Sequence, residues 1–219
     1  MARVESDSAV PGDSGTRRYR SPLRRVQAAR TRTVVLDAAT RLFAERGWVG
    51  TAMRDVARAA AVSVETVYTT FGSKADLLKS AIEIAVVGDD VQVPLADRSG
   101  YTAIGTGRTT GDRIEMSARM IAGINERIYR LAMAIRQGAT ADDTLAAVVA
   151  DLEGQRRRSL ADVAGLITGR RPDSGQVDEL WVQTGDQVYA LLVDDCGWSR
   201  ARYESWLMDR IEEILDRPV

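Results

Sequence analysis

From Val26 to Asp216 the apolar residues of this 219-residue chain recur at spacings of three and four, and nowhere does an apolar–polar alternation last long enough to build a strand. Such spacing gathers side chains onto one stripe of a helix, so an all-α fold is expected. The pattern is punctuated by residues that stop and start helices. Val35, Ala38, Ala39, Leu42 and Phe43 form the stripe of a first helix, about Val26 to Arg46, which Gly47 ends. Thr51 is expected to cap a short second helix carrying Met53, Val56, Ala57 and Ala60, and Ser63 a third carrying Val64, Val67, Tyr68 and Phe71. Gly72 and Ser73 break the third and begin a fourth that runs to Gly88.

Asp89 to Gly111, with Pro94 and several Gly and Thr residues, is expected to be a long connection. Helical patterns resume over Asp112–Gly138, Ala141–Ile167, Gln176–Asp195 and Ser199–Asp216. The expected organisation is a basic tail over residues 1–22, a three-helix unit over 23–72 and a helical body over 73–219. The tail is polar, without apolar periodicity, and carries Arg17, Arg18 and Arg20.

The chain has no histidine and one cysteine, Cys196. Triads built on histidine, zinc sites of the HExxH kind and Cys/His fingers are therefore excluded, and no cofactor is expected. The remaining nucleophiles and carboxylates do not cluster recognisably, which argues against an enzyme. Gly105, Gly107 and Gly111 lack the preceding strand of a dinucleotide site, and Thr106 stands where a phosphate loop spaced from Gly100 and Gly105 needs lysine. No apolar run is long enough to span a membrane and the first residues have no secretory core, so a cytoplasmic location is expected. Arg156, Arg157 and Arg158 read as a solvated helix face, and Cys196 as a buried thiol.

The net charge of −1 hides a division. Residues 1–88 hold 14 Lys and Arg against 9 Asp and Glu, whereas residues 89–219 hold 16 against 22. A basic front on an acidic body points to a polyanion as partner for the front. Two short helices about three residues apart have helix-turn-helix spacing. Glu65, Thr66, Thr69 and Thr70 are expected on the outer face of the second of them. Threonine is a poor solvated-helix residue, but its small hydroxyl and methyl let a helix approach bases and phosphates closely.

The segment TAMRDVARAAAVSVETVYTTFGSKADLL resembles the DNA-binding domain of the TetR family of transcriptional regulators. The matching residues are Thr51, Arg54, Asp55, Val56, Ala57, Val62, Ser63, Thr66, Val67, Tyr68, Phe71, Lys74 and Leu77, within a resemblance that spans about Val26 to Ile84. It departs at Ala61, where the family often has glycine, and at Thr69 and Thr70, where relatives often carry aromatic, Arg or His side chains. If Ala61 has positive φ, the turn carries about 1 kcal/mol of strain. The resemblance implies that Arg54 takes a guanine edge or a phosphate, that Thr66, Thr69 and Thr70 face the major groove, and that Tyr68 and Lys74 touch phosphates. Thr51 and Ser63 would offer hydroxyls to the DNA backbone. Glu65 either accepts from cytosine or serves the helix dipole, and Val56, Val67 and Phe71 are core.

In the body, GDDVQVPLADRSG and VDELWVQTGDQVYALLVDDCGWSRARYESWL resemble family segments around the fourth and the last two helices. The resemblance implies a homodimer through those last helices, with Leu180, Val188, Leu191, Leu192, Trp206, Leu207, Ile211, Ile214 and Leu215 supplying apolar surface. It also implies a cavity for an unidentified small-molecule effector. Met116, Met120, Tyr129, Met133 and Trp181 are the candidate lining residues, together with Tyr101, Ile124 and Val149. The expected protein is thus a repressor that binds a double-stranded palindromic operator; the alternative is a helical protein-interaction adaptor with a degraded head.

Overall fold

The computed structural model describes residues 22–88 and 95–217, and all regular structure in them is helical. The expected tail therefore lies outside the described residues except at Pro22, which opens the first helix. Its fixed φ and missing N–H suit that position.

Helices α1 (Pro22–Arg46), α2 (Met53–Ala59), α3 (Val64–Phe71) and α4 (Lys74–Val87) follow the sequence pattern closely. The five expected stripe residues of α1 are buried, together with Leu36. Ser63 accepts the Thr66 N–H at 3.1 Å and Ser73 the Asp76 N–H at 3.1 Å, so α3 and α4 begin where their capping serines stand. The start of α2 differs from expectation: its N-cap is Ala52, which makes no side-chain cap bond.

Of the expected connection, residues 89–94 lie outside the described set. The remainder is more ordered than its composition suggests, because Leu95–Asp97 form a 3-10 turn and Ser99–Ile104 form α5. Tyr101 and Ile104 anchor α5 in the body core, and that burial overrides weak helix propensity. The long helices α6 (Thr110–Ala139) and α7 (Asp143–Thr168) pack against each other and carry capping residues Thr109 and Asp142. The expected single helix over Gln176–Asp195 is broken. Helix α8 (Ser174–Gln183) stops at Thr184–Gly185, α9 (Asp186–Tyr189) resumes, and Ala190–Asp195 continue with the wider turns of a π-helix. Helix α10 (Arg200–Leu215) closes the chain, capped by Ser199.

Two apolar clusters hold this arrangement. One joins α1–α4 and continues into Leu131, Ala134 and Ile135 of α6 and Leu145 of α7. The other unites α5, α6, α7, α8 and α10. At the junction of the first, a Cβ on Gly138 would come within 2.5 Å of Leu145 and 2.8 Å of Trp48, so only glycine lets α6 lie this close to the loop after α1. Leu180, Leu207, Ile211, Ile214 and Leu215 are buried in the second cluster, which corrects their expected place on a subunit interface. Cys196 is exposed rather than buried, because it follows the π-helical segment at its solvent end.

Ala61, in the turn between α2 and α3, has φ +54°, the only non-glycine positive φ among the described residues. Its Cβ crowds the backbone in that conformation. Ala61→Gly is expected to stabilise the protein by about 1 kcal/mol, read as a higher urea midpoint at unchanged slope. An unchanged or lower midpoint would mean that the turn is unstrained.

Candidate nucleic-acid interface and interior cavity

Helix α3 buries Val67 and Phe71 and leaves its opposite flank open. Arg32 of α1 places its guanidinium 4.7 Å from the Phe71 ring centre, closing the inner side with a cation over an aromatic face. On the outer flank Glu65 and Thr69 are exposed and Tyr68 is 50% exposed. Thr66 is partly covered, and its hydroxyl lies 3.0 Å from that of Ser63. Thr70 donates its hydroxyl to the Thr66 carbonyl at 2.7 Å, so toward solvent it offers bulk more than a free donor. The N–H of Glu65 and the Ser63 hydroxyl hold the Glu65 carboxyl below its usual value, which keeps a negative charge at the positive end of α3.

The helices of the head also carry exposed cations. Arg25, Arg30, Arg41 and Arg54 are exposed, and Arg54 has no partner among the described residues. Arg58 instead pairs with Asp55 at 3.1 Å, an exposed contact of small energetic weight. Lys74 is half-buried. Its ammonium donates to the Trp48 carbonyl and lies 3.9 Å from the centre of the Trp48 ring, and desolvation lowers its pKa. Lys74 thus ties the start of α4 to the loop after α1, while two of its three hydrogens remain for another acceptor.

Thr51 does not belong to this surface. It is 1% exposed, and its hydroxyl is within hydrogen-bond distance of the Leu42 carbonyl at 3.1 Å and the Gly47 carbonyl at 2.9 Å. The residue ties the start of α2 back to the last turn of α1 and to Gly47, which is a structural role read from the sequence as a contact.

The body holds a partly open cavity of about 470 Å³ between α4, α6 and α7, with walls that are mainly apolar. Tyr101, Met120, Ile124 and Val149 line it as expected. Four candidates do not. Met133 is 54% exposed on the outer face of α6, and Met116 packs into the body core. Tyr129 lies against Tyr189 at 5.3 Å and donates to Asp194 at 3.4 Å. Trp181 stands behind the wall, donating its indole N–H to Glu153 at 2.8 Å and carrying Arg157 over its ring at 4.3 Å.

The polar lining went unread in the sequence. Arg136 pairs with Asp186 and lies 3.7 Å from Glu153; Arg156 lies 3.6 Å from Glu153 and donates to the Trp181 carbonyl at 2.7 Å and the Thr184 hydroxyl at 3.0 Å. Arg156 is therefore an interior residue, not part of a solvated face, and burial lowers its pKa against the opposing pull of Glu153 and Asp186. Asn125, 3% exposed, donates to the Thr184 carbonyl and the Tyr203 hydroxyl, both at 3.0 Å. Burial pushes Tyr203 up to about 12, so it stays neutral. One signal for Asn125 existed: it stands four residues after Ile121 and three before Ile128, on the buried stripe of α6.

Residues 35–81 match the family model of bacterial regulatory proteins, tetR family. No protein of curated function matches the chain in sequence. Among solved structures, it is similar to a candidate TetR-family transcriptional regulator from Rhodococcus sp. at 20% identity and TM-score 0.66, over 86% of this chain and 100% of that one. A second such candidate, from Mesorhizobium loti, shows 21% identity and TM-score 0.64 over 86% and 96% of the two chains. The TetR-like regulator LfrR from Mycobacterium smegmatis, solved with proflavine, shows 19% identity and TM-score 0.58 over 88% and 98%.

Replacing Thr51 by Val removes the one hydroxyl hydrogen that the Leu42 and Gly47 carbonyls share and should cost about 1–3 kcal/mol in chemical denaturation, whereas Thr51→Ser should keep most of the stability. Equal losses for both variants would show that the methyl, not the hydroxyl, is what the site needs.

Proposed function

We propose that this chain, whose residues 35–81 match the tetR family model, is a DNA-binding regulator of transcription and not an enzyme, and that it acts as a homodimeric repressor on a two-fold operator which it releases when a small molecule fills the body cavity. The observation that carries the DNA half of the reading is the outer flank of α3. A capped, two-turn helix leaves Tyr68 and Thr69 exposed, follows a helix that carries the open Arg54, and has its inner side locked by Val67 and Phe71. Such a rod fits the major groove, with Tyr68 and Lys74 on phosphates, Ser63 at the helix start near the backbone, and Arg54, Thr66, Thr69 and Thr70 nearest the bases. A degraded head would have no reason to retain the Ser63 cap and the open Arg54, which disfavours the adaptor reading.

One such helix reads few base pairs. Two-fold pairing sets two of them about 34 Å apart on successive turns of one duplex. Support for pairing through the last helices comes from apolar side chains that the chain does not cover itself: Val182 of α8 and Leu191 of the π-helical segment are exposed, and Trp206 of α10 is half-covered. Ligand response is supported by the cavity volume and its apolar walls, and by LfrR, a similar fold solved with a small molecule. Repression would be relieved only insofar as the effector prefers a body shape that holds the heads away from half-site spacing.

Gel-shift titrations with DNA upstream of the protein's own gene test the reading, which requires sequence preference that survives competitor DNA and a steep salt dependence. Tyr68→Phe should weaken binding to all DNA about fivefold without reordering operators, a hydrogen bond's worth. Arg54→Ala should reorder them, at about 1–3 kcal/mol for the preferred site; a uniform loss would assign Arg54 to phosphate instead. Leu191→Glu should convert the dimer to a monomer in analytical ultracentrifugation and abolish tight operator binding, and a variant that stays dimeric would remove this surface from the interface.

A further inference from the structure

Resting on the reading of the cavity as an effector site, we infer that its ligand is an uncharged, largely apolar molecule that donates one hydrogen bond to Oδ1 of Asn125. The charges in the wall leave no room for an ion. Arg136 is held by Asp186 and Glu153, and Arg156 by Glu153, the Trp181 carbonyl and the Thr184 hydroxyl. An anionic ligand thus finds no guanidinium free of a carboxylate partner. A cationic one finds Asp186 and Glu153 equally engaged, while Glu83 of α4 is exposed to solvent, which weakens any ion pair it could offer, and its neighbour Lys79 lies closer to Asp151 at 3.3 Å. Bringing an ion here would mean breaking a satisfied buried pair and leaving one partner charged and alone, a heavy penalty in a poorly solvated site.

Asn125 is different. One of its hydrogen bonds fixes the amide: the Thr184 carbonyl can only accept, so Nδ2 must face it. Oδ1 is then the free end, and it accepts nothing from the described residues. It is not a sealed atom either, since Arg210 Nε is the one side-chain polar atom among the described residues that is fully buried without a partner. Asn125 is otherwise buried and lines the cavity, so the space that Oδ1 reaches is the cavity itself. An apolar molecule that covered Oδ1 without offering a donor would strand that acceptor, whereas a hydroxyl or N–H on it keeps Oδ1 satisfied while its body covers Ile124, Ile128 and Val149.

Four probes built on a ten-carbon chain separate the possibilities by calorimetry on the intact chain at pH 7: 1-decanol, decyl methyl ether, decanoate and decylammonium. Decanol is expected to bind about fivefold more tightly than the ether, the yield of one hydrogen bond, and at least about tenfold more tightly than either ion, which would have to break a buried pair. Asn125→Leu should erase the preference for decanol over ether while leaving ether binding intact. Should that variant fail to fold, the decanol-to-ether ratio of the unaltered protein decides alone. Equal affinity for decanol and ether, a lead for decanoate or decylammonium, or no binding of decanol overturns the inference. Adding decanol to the operator gel shift keeps the two readings apart: selective binding with no change in operator affinity would sustain the ligand assignment and overturn the effector role.

Discussion

Leu78 and Ile82 stand one turn apart on α4, and the constraint they share governs the molecule: the first is sealed in the apolar cluster of the head, while the second also forms part of the cavity wall. One rigid helix therefore has to satisfy two environments at once. Its far end is fixed by Arg127 of α6, which donates to the Ala85 carbonyl at 2.7 Å and the Val86 carbonyl at 3.0 Å. Those carbonyls are orphans of the helix end, and a cation there also suits the helix dipole. Burial lowers the Arg127 pKa, first among its causes, yet the guanidinium remains the donor that α4 needs. Whatever occupies the cavity touches Ile82 and Val86, so it touches the helix that carries the DNA-reading unit.

The polar interior of the body complements that mechanical link. Four charged side chains, Arg136, Glu153, Arg156 and Asp186, sit in or beside an apolar wall and are kept there by one another and by Thr184 and Trp181. A half-satisfied version of this network would be worse than an apolar wall, since each unpaired member would bear its full desolvation cost. The break between α8 and α9 belongs to the same network. It frees the Thr184 carbonyl for Asn125 and the Trp181 carbonyl for Arg156, and it brings Asp186 to Arg136. An unbroken helix over the same residues would have spent those carbonyls on its own ladder.

How much of this could be read from the sequence follows from how local each signal is. The head was legible because its signals are short-range: Ser63 and Ser73 cap the helices they precede, and the Val35–Phe43 stripe repeats at helical spacing. The positive φ of Ala61 was foreseen as the consequence of a glycine-like turn position. Thr51 misled because a hydroxyl before a helix looks the same whether it caps that helix or, as here, bonds back to the one before. The cavity was illegible for a different reason. Met116, Met120 and Met133 are equally apolar on paper, and only the rotation of α6 against α4 and α7 decides that Met120 faces inward while Met133 meets solvent. The Arg156–Arg158 run read as one solvated face, although a helix sends neighbouring residues in different directions, so that Arg156 enters the wall, Arg157 pairs with Asp178 outside and Arg158 is exposed.

The head is attached to the body at a second point, and that changes what a displaced α4 can do. Trp48, in the loop after α1, stacks near Phe43 with ring centres 6.1 Å apart, receives Lys74 of α4 on its face, and abuts Gly138 at the end of α6. If α4 were the only tether, pushing it from the cavity would swing the head as a free lever. With Trp48 against Gly138 and under Lys74, the head has a second fixed contact on the body, so α4 is not its only tether. Packed interfaces of this kind resist gradual deformation and favour alternative discrete seats.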